Sequence, residues 1–108
     1  MGTPYNKRTA LAANTYAAVA EATAELALRC HINVLNKGVA ATKLRLFIGT
    51  SATPSAADYI EYDAYLLPGE PIRNWPIVLL PNQKAYARVE GADCNVVAWG
   101  EYDYPLVS

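Results

Sequence analysis

Histidine occurs once in this chain of 108 residues, cysteine twice, and methionine only at the start. His31, Cys30 and Cys94 are too few for a zinc cluster. There is no Gly-x-Ser-x-Gly elbow, no phosphate-cradling glycine loop and no calcium-loop pattern. No nucleophile–base pair can be assembled, so the chain is expected to be non-enzymatic and to need no cofactor. Nine basic residues against ten acidic ones leave a net charge of −1. A field that weak recruits neither nucleic acid nor an anionic lipid surface. Unbroken apolar runs are only a few residues long, too short for a membrane-spanning helix. The start, MGTPYNKRTALAANTYAAVAEA, has one basic pair, Lys7 and Arg8, and an Ala-rich stretch broken by Asn14, Thr15 and Glu21. That is a poor secretory signal. Internal repeats and low-complexity tracts are also missing. The two cysteines can pair, or remain as buried thiols, since Cys is a good small core residue.

What the chain does have is apolar residues, 53% of the total, which suffice for the core of one domain without a metal or disulfide staple. Their spacing is mostly two. Leu26, Leu28, Cys30, Ile32 and Val34 alternate with Glu25, Ala27, Arg29, His31 and Asn33, as in a half-buried strand. After a turn at Asn36-Lys37-Gly38, Leu44, Leu46 and Ile48 alternate with Lys43, Arg45 and Phe47, and the two segments read as an antiparallel pair. The loop SATPSAA precedes DYIEYDAYLL, where Ile60 and Tyr62 fall on one parity and Tyr59, Glu61, Asp63 and Tyr65 on the other. PGEP at 68–71 is the strongest turn signal. Trp75, Ile77 and Leu79 then share a parity, with Pro76 at an edge or bulge position. Ala85, Ala87 and Val89 alternate with Tyr86, Arg88 and Glu90, and CNVVAWGEYD closes the domain. NTYAAVA reads as a short strand despite its helix-favouring alanines, and residues 1–13 as an N-terminal arm. About seven short strands separated by turns predict an all-β, antiparallel sandwich, Ig-like or jelly-roll-like, over residues 14–108.

Two long stretches carry a likeness. INVLNKGVAATKLRLFIGTSATPSAADYIEYDAYLLPGE and PIVLLPNQKAYARVEGADCNVVAWGEYD resemble a group of small tailed-bacteriophage virion structural proteins. The matching residues are Asn36, Lys37 and Gly38, the run Pro54 to Tyr62, and Val97 to Tyr102, within a likeness covering about residues 14–103. The Ala-rich start and the tail YPLVS depart from the pattern. The resemblance implies a β-sandwich component of the particle: a capsid decoration or cement protein, or a neck, tail or fibre-associated accessory. It implies partners among capsid or neck and tail proteins, a homo-oligomer or many copies on the virion, and assembly in the bacterial host cytoplasm. It carries over no catalytic residue.

Asp58, Glu61 and Asp63 form the densest acid group. Parity puts Glu61 and Asp63 on one face, roughly 6 to 7 Å apart, and separates Asp58. The group can hold a cation, face solvent, or pair with Lys43, Arg45 or Arg73 on a neighbouring strand or subunit, where it would set register and partner choice. Eight tyrosines and two tryptophans are many for this length. Tyr59, Tyr65 and Tyr86 fall opposite the core parity, where they cover sheet edges, meet a partner, or, with the acids, bind a host glycan. The expected interaction residues are therefore Tyr59, Glu61, Asp63, Tyr65 and Tyr86, together with Lys7 and Arg8 of the arm. Substituting Tyr59 and Glu61 is expected to weaken partner binding with little effect on folding.

Overall fold

A computed structural model describes residues 3–91 and 93–103, without the side chains of residues 74 and 75. The tail YPLVS and the expected facing of Trp75 thus lie outside the described residues. Among the described residues eight strands follow in order: β1 (Thr3–Leu11), β2 (Ala17–Glu21), β3 (Ala27–Asn36), β4 (Thr42–Gly49), β5 (Tyr59–Leu66), β6 (Ile72–Leu79), β7 (Lys84–Val89) and β8 (Cys94–Asp103), with one 3-10 turn, Ala56–Asp58, before β5. They form two four-stranded antiparallel sheets, β1-β8-β3-β6 (sheet I) and β2-β7-β4-β5 (sheet II). The protein is an all-β sandwich. Eight strands in this order, with the chain passing repeatedly from sheet to sheet, make a jelly roll rather than an Ig-like fold.

The inner faces of β3, β4 and β7 are the ones the alternation predicts. Leu28, Cys30, Ile32 and Val34 of β3 share one buried cluster with Val96 and Ala98 of β8, Leu44 and Leu46 of β4, and Ala85, Ala87 and Val89 of β7. NTYAAVA does contain a strand, β2, whose Val19 and Ala20 are both buried because a bulge lies between Ala18 and Ala20.

Two expectations are corrected. Residues 3–11 are not an arm: they are β1, paired along its whole length with β8, from Thr3 opposite Tyr102 to Leu11 opposite Cys94. Tyr5, Lys7, Thr9 and Leu11 occupy the more buried parity while Pro4, Asn6, Arg8 and Ala10 are exposed. Lys7 and Thr9 on the inward side hide that period from a hydrophobicity count. On this edge strand Lys7 reaches Glu21 in the seam between the sheets, whereas the Thr9 hydroxyl is buried with no hydrogen-bond partner among the described residues.

The second correction concerns β3 and β4, which do not pair. β3 lies between β8 and β6, and β4 lies between β7 and β5, in the other sheet. Alternation fixes which side chains turn inward. It does not say whether two strands lie side by side or face each other across a core, since both arrangements bury the same residues. Asn36, itself buried, secures the crossing: its amide donates to Ala40 O (2.8 Å) and Leu66 O (3.0 Å), and its Oδ1 accepts from Gly38 N (2.9 Å). Its carbonyl accepts from Gly69 N at 2.8 Å, where Gly69 takes φ +76° in the PGEP turn.

A bulge shapes the β6 edge of sheet I, and a close backbone approach shapes its interior. In β6, Trp75 and Pro76 together oppose His31, which places Pro76 at a bulge of an edge strand. In β8, Gly100 lies against β3 so closely that a Cβ would fall on Arg29 O and within 2.7 Å of the Cys30 Cα. Cys30 and Cys94 are buried and reduced. Cys94 pairs with Asn36, six positions along β3 from Cys30, so roughly 20 Å separates them, far beyond disulfide reach.

Candidate functional site

β5 is the edge strand of sheet II, and its register slips twice. Tyr59 opposes Phe47 and Glu61 opposes Leu46, leaving Ile60 extra; Ala64 opposes Leu44, so Tyr62 and Asp63 both stand opposite Arg45. Asp63 takes φ 51°, a left-handed conformation that Asp tolerates better than most residues. These slips overturn the simple parity. Tyr62 joins Tyr59, Asp63 and Tyr65 on the outer face. Glu61 leaves them for the side of Leu46.

The three carboxylates accordingly separate. Asp58 closes its own turn, accepting from Ser55 N at 2.9 Å. Asp63 accepts from Arg45 Nε at 2.7 Å and from Arg45 Nη2 at 3.2 Å. Glu61 is half-buried opposite Leu46. Among the described residues no three His, Cys, Asp or Glu side chains are grouped to hold a metal ion. The Arg45 hydrogen bonds hold the Asp63 carboxyl below its usual range, with Lys43 and Arg88 adding to the effect, and Asp63 in turn raises the Arg45 pKa. Arg45 and Arg88 lie directly opposite on β4 and β7. Asp63 therefore offsets a repulsion between like charges in register.

Around this pair the outer face of sheet II is aromatic. Phe47 has an exposure of 0% although its parity points it away from the core. Tyr86 stacks on it (5.0 Å between ring centres, 16° between planes), and Tyr16 and Tyr59 meet it edge-on at 5.1 and 5.8 Å. The Tyr16 and Tyr59 hydroxyls are 2.7 Å apart, and this hydrogen bond raises the Tyr59 pKa. Arg88 caps the far side, 6.0 Å over the Tyr16 ring, and donates to Asn14 Oδ1 at 2.9 Å. Beyond this buried group, Tyr62 and Tyr65 are 59% and 70% exposed. Tyr62 is nevertheless fixed: Arg45 lies 4.3 Å over its ring, and Tyr59 meets it at 4.8 Å and 82°. Lys43 lies 5.8 Å from the Tyr65 ring centre. An open depression of about 460 Å³ adjoins, lined by Pro54, Ser55, Ala56, Tyr59 and Tyr62.

The expected interaction residues therefore scatter. Tyr59, Asp63, Tyr65 and Tyr86 share the outer face of sheet II, but Tyr86 is buried in the aromatic layer and Tyr59 is half-buried there. Lys7 sits in the seam, 3.4 Å from Glu21, which Lys84 approaches at 3.1 Å from the other side. Arg8 is exposed on the outer face of sheet I, opposite Val97. Sequence reasoning overlooked Phe47 as a buried ring and Tyr62 as the exposed one. The available signal was the spacing: tyrosines at 59, 62 and 65 reach one face of a strand only if it is bulged. No family model, curated protein or solved structure matches the chain.

Proposed function

We propose that the chain is a non-enzymatic structural protein of a tailed-bacteriophage virion, decorating or cementing the capsid by binding neighbouring major capsid subunits. The observation that carries a binding role is the β5 edge of sheet II. There Tyr62 stands exposed against the aromatic layer, with exposed Tyr65, Ile60 and Leu67 beside it on the same strand and its end. Large rings with polar tips, already fixed before contact, give contact area at low entropic cost. Jelly rolls build viral capsid and lectin domains alike, and fold alone does not choose between them. The virion assignment rests on the sequence resemblance at Pro54–Tyr62 and Val97–Tyr102. Modest affinity per site suffices, because repetition on a symmetric particle multiplies contacts.

Purified particles should contain many copies in a fixed ratio to the major capsid protein, by quantitative mass spectrometry. A few copies confined to the tail vertex would replace decoration with a neck or tail accessory role. A second reading, host-glycan adhesion, draws on the exposed Tyr62 ring beside an open depression. A signal on a glycan array from the oligomeric protein would favour it.

A further inference from the structure

We infer that the depression bounded by Pro54, Tyr59 and Tyr62 is a docking slot for a proline-bearing, extended segment of a partner protein, flanked by an acidic residue that meets Lys43. This rests on the protein-binding reading above and specifies the partner's chemistry.

The shape comes first. Tyr59 and Tyr62 stand at 82° with ring centres 4.8 Å apart, forming a corner that Pro54 and Ala56 help to enclose. Tyr62 is held on one face by Arg45, which is itself held by Asp63, while much of the ring stays in solvent. A fixed, exposed ring beside an apolar corner suits a rigid apolar ring in the ligand.

The chemistry narrows the occupant. Among the described lining residues Ser55 is the only one besides the tyrosines with a polar side chain, and the Tyr59 hydroxyl is already engaged by Tyr16. A sugar presents hydroxyls all round and needs several convergent partners. A polyproline II segment presents rings, has no N–H donor at its prolines, keeps its carbonyls open to water, and loses little conformational freedom on binding in aromatic grooves. Addition of a partner strand along this part of β5 is disfavoured, because the slips at Ile60 and Tyr62–Asp63 break the ladder that such a strand would need.

Spacing and charge extend the slot. Polyproline II advances about 9 Å per three-residue turn. Tyr62 and Tyr65 lie about 7 to 10 Å apart along an extended, bulged strand. One further turn of the ligand thus reaches Tyr65 and Lys43, and an acid there would be met by Lys43.

The test is a titration of the full chain, isotope-labelled for NMR, with a peptide of eight prolines flanked by glutamates, and with its counterpart carrying alanines for prolines. The proline peptide should shift resonances of residues 54–65 and bind at least tenfold more tightly than the alanine peptide. Tyr62→Ala should weaken binding at least tenfold and Tyr62→Phe less than threefold, with unchanged unfolding midpoints. Lys43→Glu should weaken binding severalfold. No shifts with millimolar proline peptide, or equal binding of both peptides, would overturn the inference. So would shifts of the same residues by a neutral oligosaccharide without any response to the peptide. Particles rich in this protein together with no peptide binding would remove the slot alone. Peptide binding by a protein missing from particles would remove the decoration reading alone.

Discussion

The two outer faces of the sandwich contrast sharply. On sheet I the described outer side chains include a set of cross-strand neighbours on β3 and β8. Arg29 stands opposite Glu101, His31 stacks on Trp99 at 5.3 Å, and Asn33 lies opposite Val97. Trp99 keeps 39% of its surface in solvent. On sheet II the corresponding face carries a second, aromatic core. Phe47 is as buried as any residue of the first core, beneath Tyr16, Tyr59 and Tyr86. Outward parity therefore sets direction and not exposure. A bulky ring placed outward in the middle of a sheet attracts cover, and the cover here comes from residues flanking the strands: Tyr16 before β2 and Tyr59 at the start of β5. Tyr62, beyond that layer, is then held by Tyr59 and Arg45 while remaining exposed.

The contrast can be broken most directly at Phe47. Phe47→Ala should destabilise the protein by about 3–5 kcal/mol, whereas Trp99→Ala should cost about 1 kcal/mol, as for a partly exposed side chain. Denaturant unfolding of both variants tests this, and equal losses would abolish the distinction between the faces. Gly100→Ala, which drives a methyl group into the β3 backbone of sheet I, should cost about 3 kcal/mol, near the upper end for overpacking. Such a loss would show that sheet I is constrained by its ladder and not by its outer side chains. The seam between the sheets responds more weakly. Lys84, with Lys7, lowers the Glu21 pKa from its ordinary 4.5. A depressed carboxyl stabilises the fold above its unfolded pKa and loses that contribution as pH falls through the folded value. Stability should thus decline below about pH 4.5, and Glu21→Gln should remove this part of the decline. Glu21 is 38% exposed, and solvent screening keeps its share below about 1 kcal/mol. The smallest effect on stability is expected from Tyr65→Ser, within about 0.5 kcal/mol. On the proposed reading, particle occupancy should nevertheless fall.

Most of sheet I was legible where alternation was clean, as in Leu28, Cys30, Ile32 and Val34. It failed at β1, because an edge strand turns the polar Lys7 and Thr9 inward, and a count of apolar residues does not register that parity. The candidate face was legible only in part. Tyr59, Asp63 and Tyr65 were assigned outward, but two bulges that no local propensity announces exchanged Glu61 for Tyr62. Tyr59 was expected to contribute to binding alone. Since it also covers Phe47, its loss should lower stability too, and Tyr62 is the cleaner probe. The Arg45–Asp63 pair was among the alternatives that the acid cluster left open. Selecting it required knowing that Arg45 and Arg88 face each other in register.

The two buried thiols have a practical consequence. Desolvation lifts the Cys30 pKa to about 11 and raises that of Cys94, and the thiolate is the reactive form. Maleimides and oxidants should therefore find almost nothing to attack on the folded chain. A single cysteine introduced at exposed Val39 would become the sole addressable handle, ready for a fluorophore or heavy-atom label to locate each copy on an assembled particle without first removing the native cysteines.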